Sequence, residues 1–457
     1  PGDSQGVRNA LDAVFPREEE RNGGGNEERS GTDWQRVACA NAAGRRFAVI
    51  TGGPGTGKTT TVIRLLALLQ VRALAGELEA SDGSPLRIGL AAPTGKAAAR
   101  LNQSIADQIR ELDLSRLPNG EQVRAAIPGE VKTLHRLLGA RPTTRRFRHN
   151  SDHPLPLDLV VVDEASMIDV ELMAALCDAL RPDARLVLLG DREQLASVEA
   201  GAVLGQLCAR ADPEYWTEAT RHWIEAASGE PLDVTPLAGP AQDLDQAVTR
   251  LRHSWRFADA PGIGALARAV NEGDASATRR AFDGNHAQHL SWIDASAKPG
   301  AALTTLALDG NAAAAAHLAW FTAVAGVTEA TDEVERDAAA SALLAKRNVF
   351  QLLTPNQVGP FGVAALNAAI ERELAARGLL DEAPGTPDAW YVGRPVMVLK
   401  NDHMLGLMNG DTGICLSIRA ADGLEAPESS SKGSSLAVGF PAPPGSDRAV
   451  RWVLPSR

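Results

Sequence analysis

The sequence predicts an α/β fold with a doubly wound parallel sheet, and two observations support this prediction. Short apolar runs alternate with helical stretches over the first half of the chain. The runs are mostly apolar instead of alternating with polar residues, as strands buried on both faces of a parallel sheet require. The helices between the runs would cover those two faces.

The first half of the chain contains four predicted strands. They are Phe47–Thr51, Arg87–Ala92, Leu157–Asp163 and Ala184–Asp191. Between them, the clearest predicted helices are Lys58–Ala73 and Lys96–Leu112. A strand, a turn and a helix in repeated order is the connection that parallel strands need.

The second half of the chain changes character twice. Its first part contains the predicted helices Ile263–Asn271 and Asn311–Gly326, the strand Val349–Pro355 and the helix Val363–Gly378. Four short β-type runs follow, split by Gly, Asp, Ser and Pro turns: Arg394–Lys400, Gly413–Arg419, Ser435–Phe440 and Ala449–Leu454. Such short, evenly separated runs predict a small barrel.

The length of 457 residues suits two or three domains, because single cores stop growing well below that size. We expect a partly disordered linker over residues 1–32 and a first domain over 33–258. A second domain is expected over 259–390, and the small barrel over 391–457. Residues 17–32 carry dense charge and a glycine run, which is typical of a solvated linker.

Composition narrows the class of protein. The net charge of −11 argues against wholesale wrapping by nucleic acid but is compatible with a narrow basic groove. No apolar run reaches the roughly 18 residues that suggest a membrane span. The four cysteines lie far apart without a C-x-x-C pair, so neither a zinc cluster nor a disulfide framework is supported, and a cytoplasmic protein fits best.

The most specific motif is G-x-x-x-x-G-K-[ST], placed between a predicted strand and a predicted helix. It is matched by Gly52, Gly53, Pro54, Gly55, Thr56, Gly57, Lys58 and Thr59, with Thr60 next in the predicted site. Glycines let backbone N–H groups point at phosphate oxygens, and the helix N-terminus adds partial positive charge. Lys58 would reach the β and γ phosphates, and Thr59 would bind Mg2+. The motif predicts an ATP site, with a glycine-rich turn as the alternative.

Two acids end the predicted strand Leu157–Asp163. Asp163 is placed to hold the magnesium ion, and Glu164 to polarise the attacking water. The alternative is a strand end whose acid only caps a helix. Together with the phosphate loop, the acids predict a site that hydrolyses a nucleoside triphosphate.

Three more residues are candidates for the same site. Gln194 follows another strand, where its amide suits a γ phosphate or its water, with a polar turn as the alternative. Gln35 precedes the loop at a distance that suits reading an adenine edge, although an exposed helical glutamine is commoner. Arg256 suits an arginine finger, and stacking on Trp255 is equally plausible.

Two further segments predict contacts with the phosphate backbone of another molecule. Thr94 and Lys96 stand at a predicted helix N-terminus, where a phosphate can bind, with a surface turn and a solvated lysine as the alternative. Thr133 and His135 lie in the second segment. For His135, a hydrogen-bonded core histidine is the alternative.

Taken together, these segments resemble the superfamily-1 DNA helicases of the RecD type, the α subunits of exodeoxyribonuclease V. The resemblance begins at Asp33-Trp34-Gln35 and runs through GGPGTGKTTT, LAAPTGKAAARL, TLHRLLG, LVVVDEASMID, LLGDREQLASVEAGAVLG and HSWRF to GPFGVAALN and GRPVMVLKND. The order and spacing of the segments are as distinctive as any single motif.

The resemblance implies P-loop motor domains of the RecA-like type, with an SH3-like insert as the small barrel. It also implies a role for each candidate residue: Gln35 reads adenine, Lys58 and Thr59 bind phosphate and Mg2+, Asp163 and Glu164 bind Mg2+ and activate water, Gln194 senses the γ phosphate, and Arg256 is a finger. By the same resemblance, Thr94, Lys96, Thr133 and His135 lie along single-stranded DNA.

The function implied by the resemblance is that of an ATP-dependent 5′–3′ DNA helicase in double-strand break repair and recombination. The implied partners are single-stranded DNA and RecB-like and RecC-like subunits, with no membrane. A P-loop ATPase that acts as a switch or binding module without translocation is the alternative. A nuclease is not supported, since a second carboxylate cluster for two metals is not evident.

Two departures from the family pattern stand out. Gln357-Val358 occupies the place where relatives have an arginine shortly before the GPFG turn. Apart from its exit at Leu11–Phe15, the family's amino-terminal docking domain is not found in this sequence. The family's final T-x-H-K-x-Q-G and T-R-A-R segments are not found either. The second motor domain is therefore expected to be incomplete as the sequence stands.

Overall fold

The computed structural model divides the chain into two compact units, residues 1–272 and residues 273–457. The described residues are 3–15, 31–78, 82–117, 119–141, 146–194, 203–233, 241–257, 261–283, 289–293, 301–310, 317–324, 327, 330, 332–380, 389–402, 404–419, 434–442, 446 and 448–455. Parts of three predictions lie outside them: linker residues 1–2 and 16–30, helix residues 311–316 and 325–326, and barrel residues 403, 420–433, 443–445, 447 and 456–457.

The first unit is built on a six-stranded sheet in which all pairings are parallel. Its strands are β1 Phe47–Gly52, β2 Ile88–Ala92, β3 Val131–Thr133, β4 Leu159–Val162, β5 Arg185–Gly190 and β6 Val248–Leu251. The strand order is β3-β2-β4-β5-β1-β6. The four predicted strands are confirmed as the four inner strands.

Helices cover both faces of this sheet. They are α1 Ser4–Val14, α2 Trp34–Ala43, α3 Lys58–Leu74, α4 Gly95–Glu111, α5 Gly120–Ala125, α6 Leu134–Leu138, α7 Val170–Ala179, α8 Val203–Leu207 and α9 Glu218–Ser228. A further helix, α10 Pro261–Asn271, lies near the end of the unit. Within β4, Val161 belongs to a core with α1–α5, whereas Val160 and Val162 belong to a core with α6–α8. The predicted doubly wound α/β fold is confirmed, and its arrangement is that of a RecA-like P-loop domain.

The two strands that the sequence did not predict, β3 and β6, are the two edges of the sheet. They have three and four residues, and each carries a basic side chain, Lys132 or Arg250. An edge strand pairs on one side only and tolerates polar residues, so its sequence lacks the apolar run that identifies an inner strand.

The prediction of a linker over residues 1–32 is wrong at its beginning, because residues 4–14 form α1. The Asp3 carboxylate caps this helix by accepting from the Gly6 N–H. Val7, Leu11 and Phe15 are buried in the same core as α3, since a spacing of about four residues places them on one helix face. The dense charge that suggested a linker begins only after this helix.

The second unit begins with helices. They are α11 Ala275–Arg280, α12 Ala301–Asp309, α13 His317–Phe321, α14 Glu333–Arg347 and α15 Val363–Ala376. The predicted strand Val349–Pro355 is wrong. Val349 and Leu353 are 71% and 84% exposed, and no partner strand pairs with this segment among the described residues. Without a partner, strand backbone groups gain no ladder hydrogen bonds.

The four β-type runs predicted near the end of the second unit form one antiparallel sheet. Its strands are β7 Pro395–Met397, β8 Thr412–Arg419, β9 Ser434–Pro441 and β10 Val450–Val453, in the order β10-β9-β8-β7. Ile414, Leu416 and Val450 pack in one core with α14 and α15. In the described part of the chain, the helices are too short or too polar to cross a membrane.

Candidate nucleotide site at one edge of the parallel sheet

Apart from Gln35, which lies on α2, the predicted site residues of the first unit lie at or just beyond the carboxyl ends of its parallel strands. Gly52–Thr60 follow β1, Thr94 and Lys96 follow β2, Thr133 and His135 follow β3, Asp163 and Glu164 follow β4, Gln194 follows β5, and Arg256 follows β6. Parallel strands end at one edge, which is where open α/β sheets bind their ligands. The fold thus brings the predicted residues to a common edge.

The phosphate loop joins β1 to α3 through two glycines with positive φ. Gly55 has φ 74° and Gly57 has φ 82°, values in the left-handed region that favours glycine. The Thr56 hydroxyl donates to the Gly53 carbonyl at 2.9 Å and closes the loop. Gly57 is the N-cap of α3, and no side chain caps the helix there. The first N–H groups of α3 are therefore left for a ligand.

Lys58, the first residue of α3, folds back over this loop. Its Nζ donates to the carbonyls of Gly52 at 2.6 Å and of Gly53 at 3.2 Å. The ammonium group is thus held at the mouth of the loop, beside the N-terminus of α3. Thr59 and Thr60 follow in the first turn and are half-buried. Fixed positive charge and free helical N–H groups together form an anion site.

Asp163 and Glu164 follow β4 directly. Burial raises the pKa of the Asp163 carboxyl to about 6, and the Glu164 charge acts in the same direction, whereas the Glu164 N–H, Lys58 and Arg100 act against it. The Glu164 N–H donates to the Asp163 carboxylate at 2.8 Å. Asp163 thus lies within the electrostatic reach of the lysine in the loop.

Glu164 has φ 52°, and it alone among the described non-glycine residues has a positive φ. A non-glycine residue in the left-handed region costs about 1–3 kcal/mol, and such strain occurs most often at functional sites. At this turn the chain leaves β4 and enters the 3₁₀ helix Ala165–Met167. The strained turn sets the direction of the Glu164 side chain, and the sequence gives no sign of it.

Gln194 follows the neighbouring strand, β5. The Ser166 hydroxyl, in the turn after β4, donates to the Gln194 Oε1 at 3.3 Å. Ser166 is buried, and the Gln194 N–H donates to the Asp191 carbonyl at 3.2 Å. This contact of Ser166 was not predicted from the sequence, because the two residues are 28 positions apart and only the pairing of β4 with β5 brings them together.

Gln35 lies in the first turn of α2 and contacts the phosphate loop. Its Nε2 donates to the Thr56 carbonyl at 3.2 Å. The Asp33 carboxylate caps α2 by accepting from the Gln35 and Arg36 N–H groups. The alternative of an exposed helical glutamine is therefore wrong, because the amide is half-buried against the loop.

Arg256 lies beside the same loop. The Trp255 N–H donates to the Gly55 carbonyl at 2.9 Å, and the Ser254 hydroxyl donates to the Pro54 carbonyl at 2.8 Å. A Cβ atom added to Gly55 would meet the Arg256 Cβ at 2.2 Å, so the arginine backbone packs directly on the loop. Ser254 and Trp255 thus both contact the phosphate loop, and neither contact was predicted from the sequence.

Thr94 and Thr133 have the same structural role on neighbouring strands. Thr94 caps α4 by accepting from the Ala97 N–H at 3.2 Å, and Thr133 caps α6 by accepting from the Arg136 N–H at 3.2 Å. Thr133 pairs with Ala92 across β3 and β2, so the two capped helices begin side by side.

Two basic side chains and a histidine extend this part of the edge. Lys96 and His135 are exposed, so a core histidine is excluded at that position. The His135 ring lies 5.8 Å from the Phe147 ring. Arg100, one turn after Lys96 on α4, lowers the pKa of Asp163 through its charge. Arg100 was not predicted from the sequence, although a spacing of four residues places it on the same helix face as Lys96.

Comparison with known proteins agrees with this geometry. An AAA domain model matches residues 35–200, a range that contains Gln35, the phosphate loop, both acids and Gln194. The RecBCD enzyme subunit RecD of Haemophilus influenzae is 36% identical over 423 residues, which are 90% of this chain and 60% of that protein. Over most of its length the chain is similar to RecD.

Other RecD relatives give the same result. RecD of Mycolicibacterium smegmatis is 38% identical over 402 residues, covering 87% of this chain and 59% of that protein. The ATP-dependent RecD2 DNA helicase of Deinococcus radiodurans is 37% identical over 193 residues, covering 41% of this chain and 22% of that protein. The chain therefore spans about 60% of the length of its RecD relatives.

Proposed function

We propose that this chain is the ATP-hydrolysing motor of a DNA helicase, the RecD-like subunit of a RecBCD-type exodeoxyribonuclease V. One observation carries the proposal: the ends of β4, β5 and β1, which are neighbours in the sheet, bring two acids, an amide and a lysine-bearing phosphate loop to one edge. This is the set of groups that phosphoryl transfer to water requires.

In this proposal the loop binds the triphosphate. The N–H groups at the start of α3 donate to phosphate oxygens, and Lys58 exchanges its contacts with the Gly52 and Gly53 carbonyls for contacts with the β and γ phosphates. Gln35 reads the adenine edge. Its amide already touches the loop at Thr56, so the base site and the phosphate site are adjacent.

The residues fit a magnesium ion. Asp163 is a carboxylate whose pKa is raised mainly by burial, so a divalent cation beside it would replace the solvation that burial removes. Hydroxyl and carboxylate oxygens are the ligands that Mg2+ prefers, and Thr59 and Asp163 would supply them. A bound ion would neutralise charge on the β and γ phosphates.

Hydrolysis is assigned to residues around the γ phosphate. Glu164, in its strained turn, orients the attacking water and accepts its proton. Gln194 donates its amide N–H to the γ phosphate, with its Oε1 already bonded to Ser166. Arg256 supplies positive charge as an arginine finger, and its backbone packing on Gly55 supports this position.

Single-stranded DNA is the proposed track. Thr94 and Lys96 at the start of α4, and Thr133 and His135 at the start of α6, would bind its phosphates at the carboxyl edge of β2 and β3. The proposal is supported by the exposure of Lys96 and His135 and by the adjacent helix N-termini. A narrow contact of this kind is compatible with the net charge of −11.

The proposed assembly follows the relatives. The Haemophilus protein is named as a subunit of the RecBCD enzyme, and we extend to this chain RecB-like and RecC-like partners and 5′–3′ movement in double-strand break repair. We also propose that the sheet β7–β10 belongs to an SH3-like insert. The Cys415 N–H donates to the Arg394 carbonyl at 2.8 Å and pairs the start of the insert with β8.

Strand displacement tests the proposed function. The protein is assembled with its RecB-like and RecC-like partners, in which any motor activity of the partners is removed by mutation. The complex is then given a labelled duplex with a 5′ tail or a matched duplex with a 3′ tail. ATP-dependent release from the 5′-tailed duplex alone is expected. ATP binding without displacement of either duplex would instead support a nucleotide switch.

A further inference from the structure

The amide of Gln35 is held at both ends by partners of opposite character. Its Nε2 donates to the Thr56 carbonyl at 3.2 Å, and its Oε1 accepts from the Arg64 Nη1 at 3.4 Å. A backbone carbonyl can only accept and a guanidinium can only donate. The amide therefore cannot turn over without losing both hydrogen bonds, so these two partners fix which end is oxygen and which is nitrogen.

Arg64 is itself held by the N-terminal helix. Its guanidinium carbon lies 4.6 Å from the centroid of the Phe15 ring, and the ring is only 2% exposed. Phe15 directly follows α1, which packs in the core with α3. A guanidinium stacked on a buried ring loses little further freedom when it donates. The contacts Phe15–Arg64–Gln35–Thr56 thus link the N-terminal helix to the phosphate loop.

We propose that Arg64, stacked on Phe15, is a positioning residue for Gln35 and sets the preference of the site for adenine nucleotides. The inference rests on the proposed function, in which Gln35 reads the base. With one N–H given to Thr56 and one lone pair given to Arg64, Gln35 retains one N–H and one lone pair.

The remaining N–H and lone pair of Gln35 match the donor and acceptor on the edge of adenine. Adenine presents an N6 donor beside an N7 acceptor, whereas guanine presents acceptors at both O6 and N7. In the orientation that Thr56 and Arg64 fix, the amide makes two hydrogen bonds to adenine at most, and one to guanine. Turned over against the same base, it would face the N6 donor with its N–H and the N7 acceptor with its oxygen, and it would bind adenine less well. An amide that is already ordered gains the full benefit of the adenine contacts, since no rotamer has to be fixed on binding.

The test measures Kd for ATP and for GTP by competition with a labelled nucleotide, together with kcat in the presence of single-stranded DNA. In Arg64→Met the side-chain stem stays and the guanidinium is removed. We expect Kd for ATP to rise about fivefold, as the loss of one oriented hydrogen bond implies. Kd for GTP and kcat at saturating ATP should stay within about twofold of the original protein.

Arg72→Met is the matched control. Arg72 lies on the same helix and pairs with Asp3 at 3.7 Å and with Glu77 at 3.1 Å, so it also contacts the N-terminal helix. Its removal should leave the ratio of the two Kd values unchanged. Phe15→Leu, which keeps the buried apolar volume, should lower the ATP preference at least about twofold, because the guanidinium loses the ring face.

The variant Gln35→Ala separates the inference about Arg64 from the proposed role of Gln35 in reading the base. If Gln35→Ala loses the ATP preference and Arg64→Met keeps it, the inference about Arg64 is overturned while the proposed role of Gln35 stands. If Gln35→Ala keeps the preference, both are overturned. Equal increases of Kd for ATP and GTP in Arg64→Met would also overturn the inference. They would show that Arg64 affects the binding of the ribose or the phosphates, which both nucleotides share, instead of the base.

The double variant Arg64→Met/Gln35→Ala completes the design. If Arg64 acts through Gln35, the double variant should match Gln35→Ala in its ATP preference, because two residues in one hydrogen-bonded unit are not additive. A preference that falls by the product of the two single effects would contradict action through Gln35.

Discussion

The Ser166 hydroxyl donates to the Gln194 Oε1 at 3.3 Å, joining the turn after β4 to the turn after β5. The acids and the proposed γ-phosphate sensor lie on those two turns. Because Ser166 occupies the amide oxygen, the amide nitrogen of Gln194 is the end that can donate to a phosphate. The hydrogen bond therefore connects the carboxylate pair with the sensor.

Ser166→Ala should lower kcat about tenfold with little change in the Kd for ATP. The reason is that Gln194 loses the bond that orients it, while the phosphate loop is untouched; one lost hydrogen bond of this kind corresponds to about 1.4 kcal/mol in the barrier. Steady-state turnover and nucleotide binding measure the two effects. Ser84→Ala, an exposed serine before the amino end of β2, is the control and should keep kcat. A normal kcat in Ser166→Ala would show that Ser166 does not orient Gln194 for hydrolysis.

Lys58→Ala should abolish ATP turnover while the protein stays folded. The Lys58 side chain is half-buried and its Nζ donates to the Gly52 and Gly53 carbonyls of the loop, so its loss should change the free energy of unfolding by about 0.5 kcal/mol. Turnover and thermal melting are measured on the same preparation. Lys346→Ala, an exposed lysine of α14, should keep both. Normal turnover in Lys58→Ala would contradict the assignment of the phosphate loop.

Glu164→Gln and Asp163→Ala should separate hydrolysis from magnesium-dependent binding. Glu164→Gln keeps the size of the side chain and removes the proton acceptor, so MgATP should still bind and turnover should fall by a factor of about 100 or more. Asp163→Ala removes the proposed metal ligand, so affinity should fall in the presence of Mg2+ and change little with EDTA. Equal losses of MgATP affinity in both variants would count against this division of roles.

Gly55→Ala should destabilise the loop more than Gly76→Ala destabilises the end of α3. Both glycines have positive φ, 74° and 70°, so both substitutions share a backbone cost of about 1–2 kcal/mol. Only at Gly55 does the added Cβ meet another residue, the Arg256 Cβ at 2.2 Å, whereas nothing lies within 4 Å at Gly76. Chemical denaturation and ATP binding measure the difference. Equal stability and equal binding in the two variants would show that Arg256 does not pack on the loop.

The sequence predicted the inner part of the first unit well. Inner parallel strands need continuous apolar runs, and a phosphate loop needs glycine and lysine at fixed spacing, so β1, β2, β4 and β5 and the residues from Gly52 to Thr59 could be read locally. The edge strands β3 and β6 were missed because a strand with one neighbour carries a weaker pattern.

Contacts between distant segments could not be predicted from the sequence. Arg64 and Gln35 are 29 positions apart, and Ser166 and Gln194 are 28 apart; each pair meets only after the sheet and its helices are assembled. The left-handed conformation of Glu164 likewise depends on the surroundings of the strand end, since glutamate has no preference for it. These features add detail to the site that the motifs predict.

The rate of ATP turnover with and without single-stranded DNA tests the central claim most directly, namely that the site at the sheet edge drives movement on DNA. It is measured on the protein alone and with its RecB-like and RecC-like partners, with Lys58→Ala as the blank. Stimulation by DNA of at least about tenfold, or about 1.4 kcal/mol in the barrier, is expected. ATP binding with a turnover rate that DNA leaves unchanged in both preparations would contradict the claim.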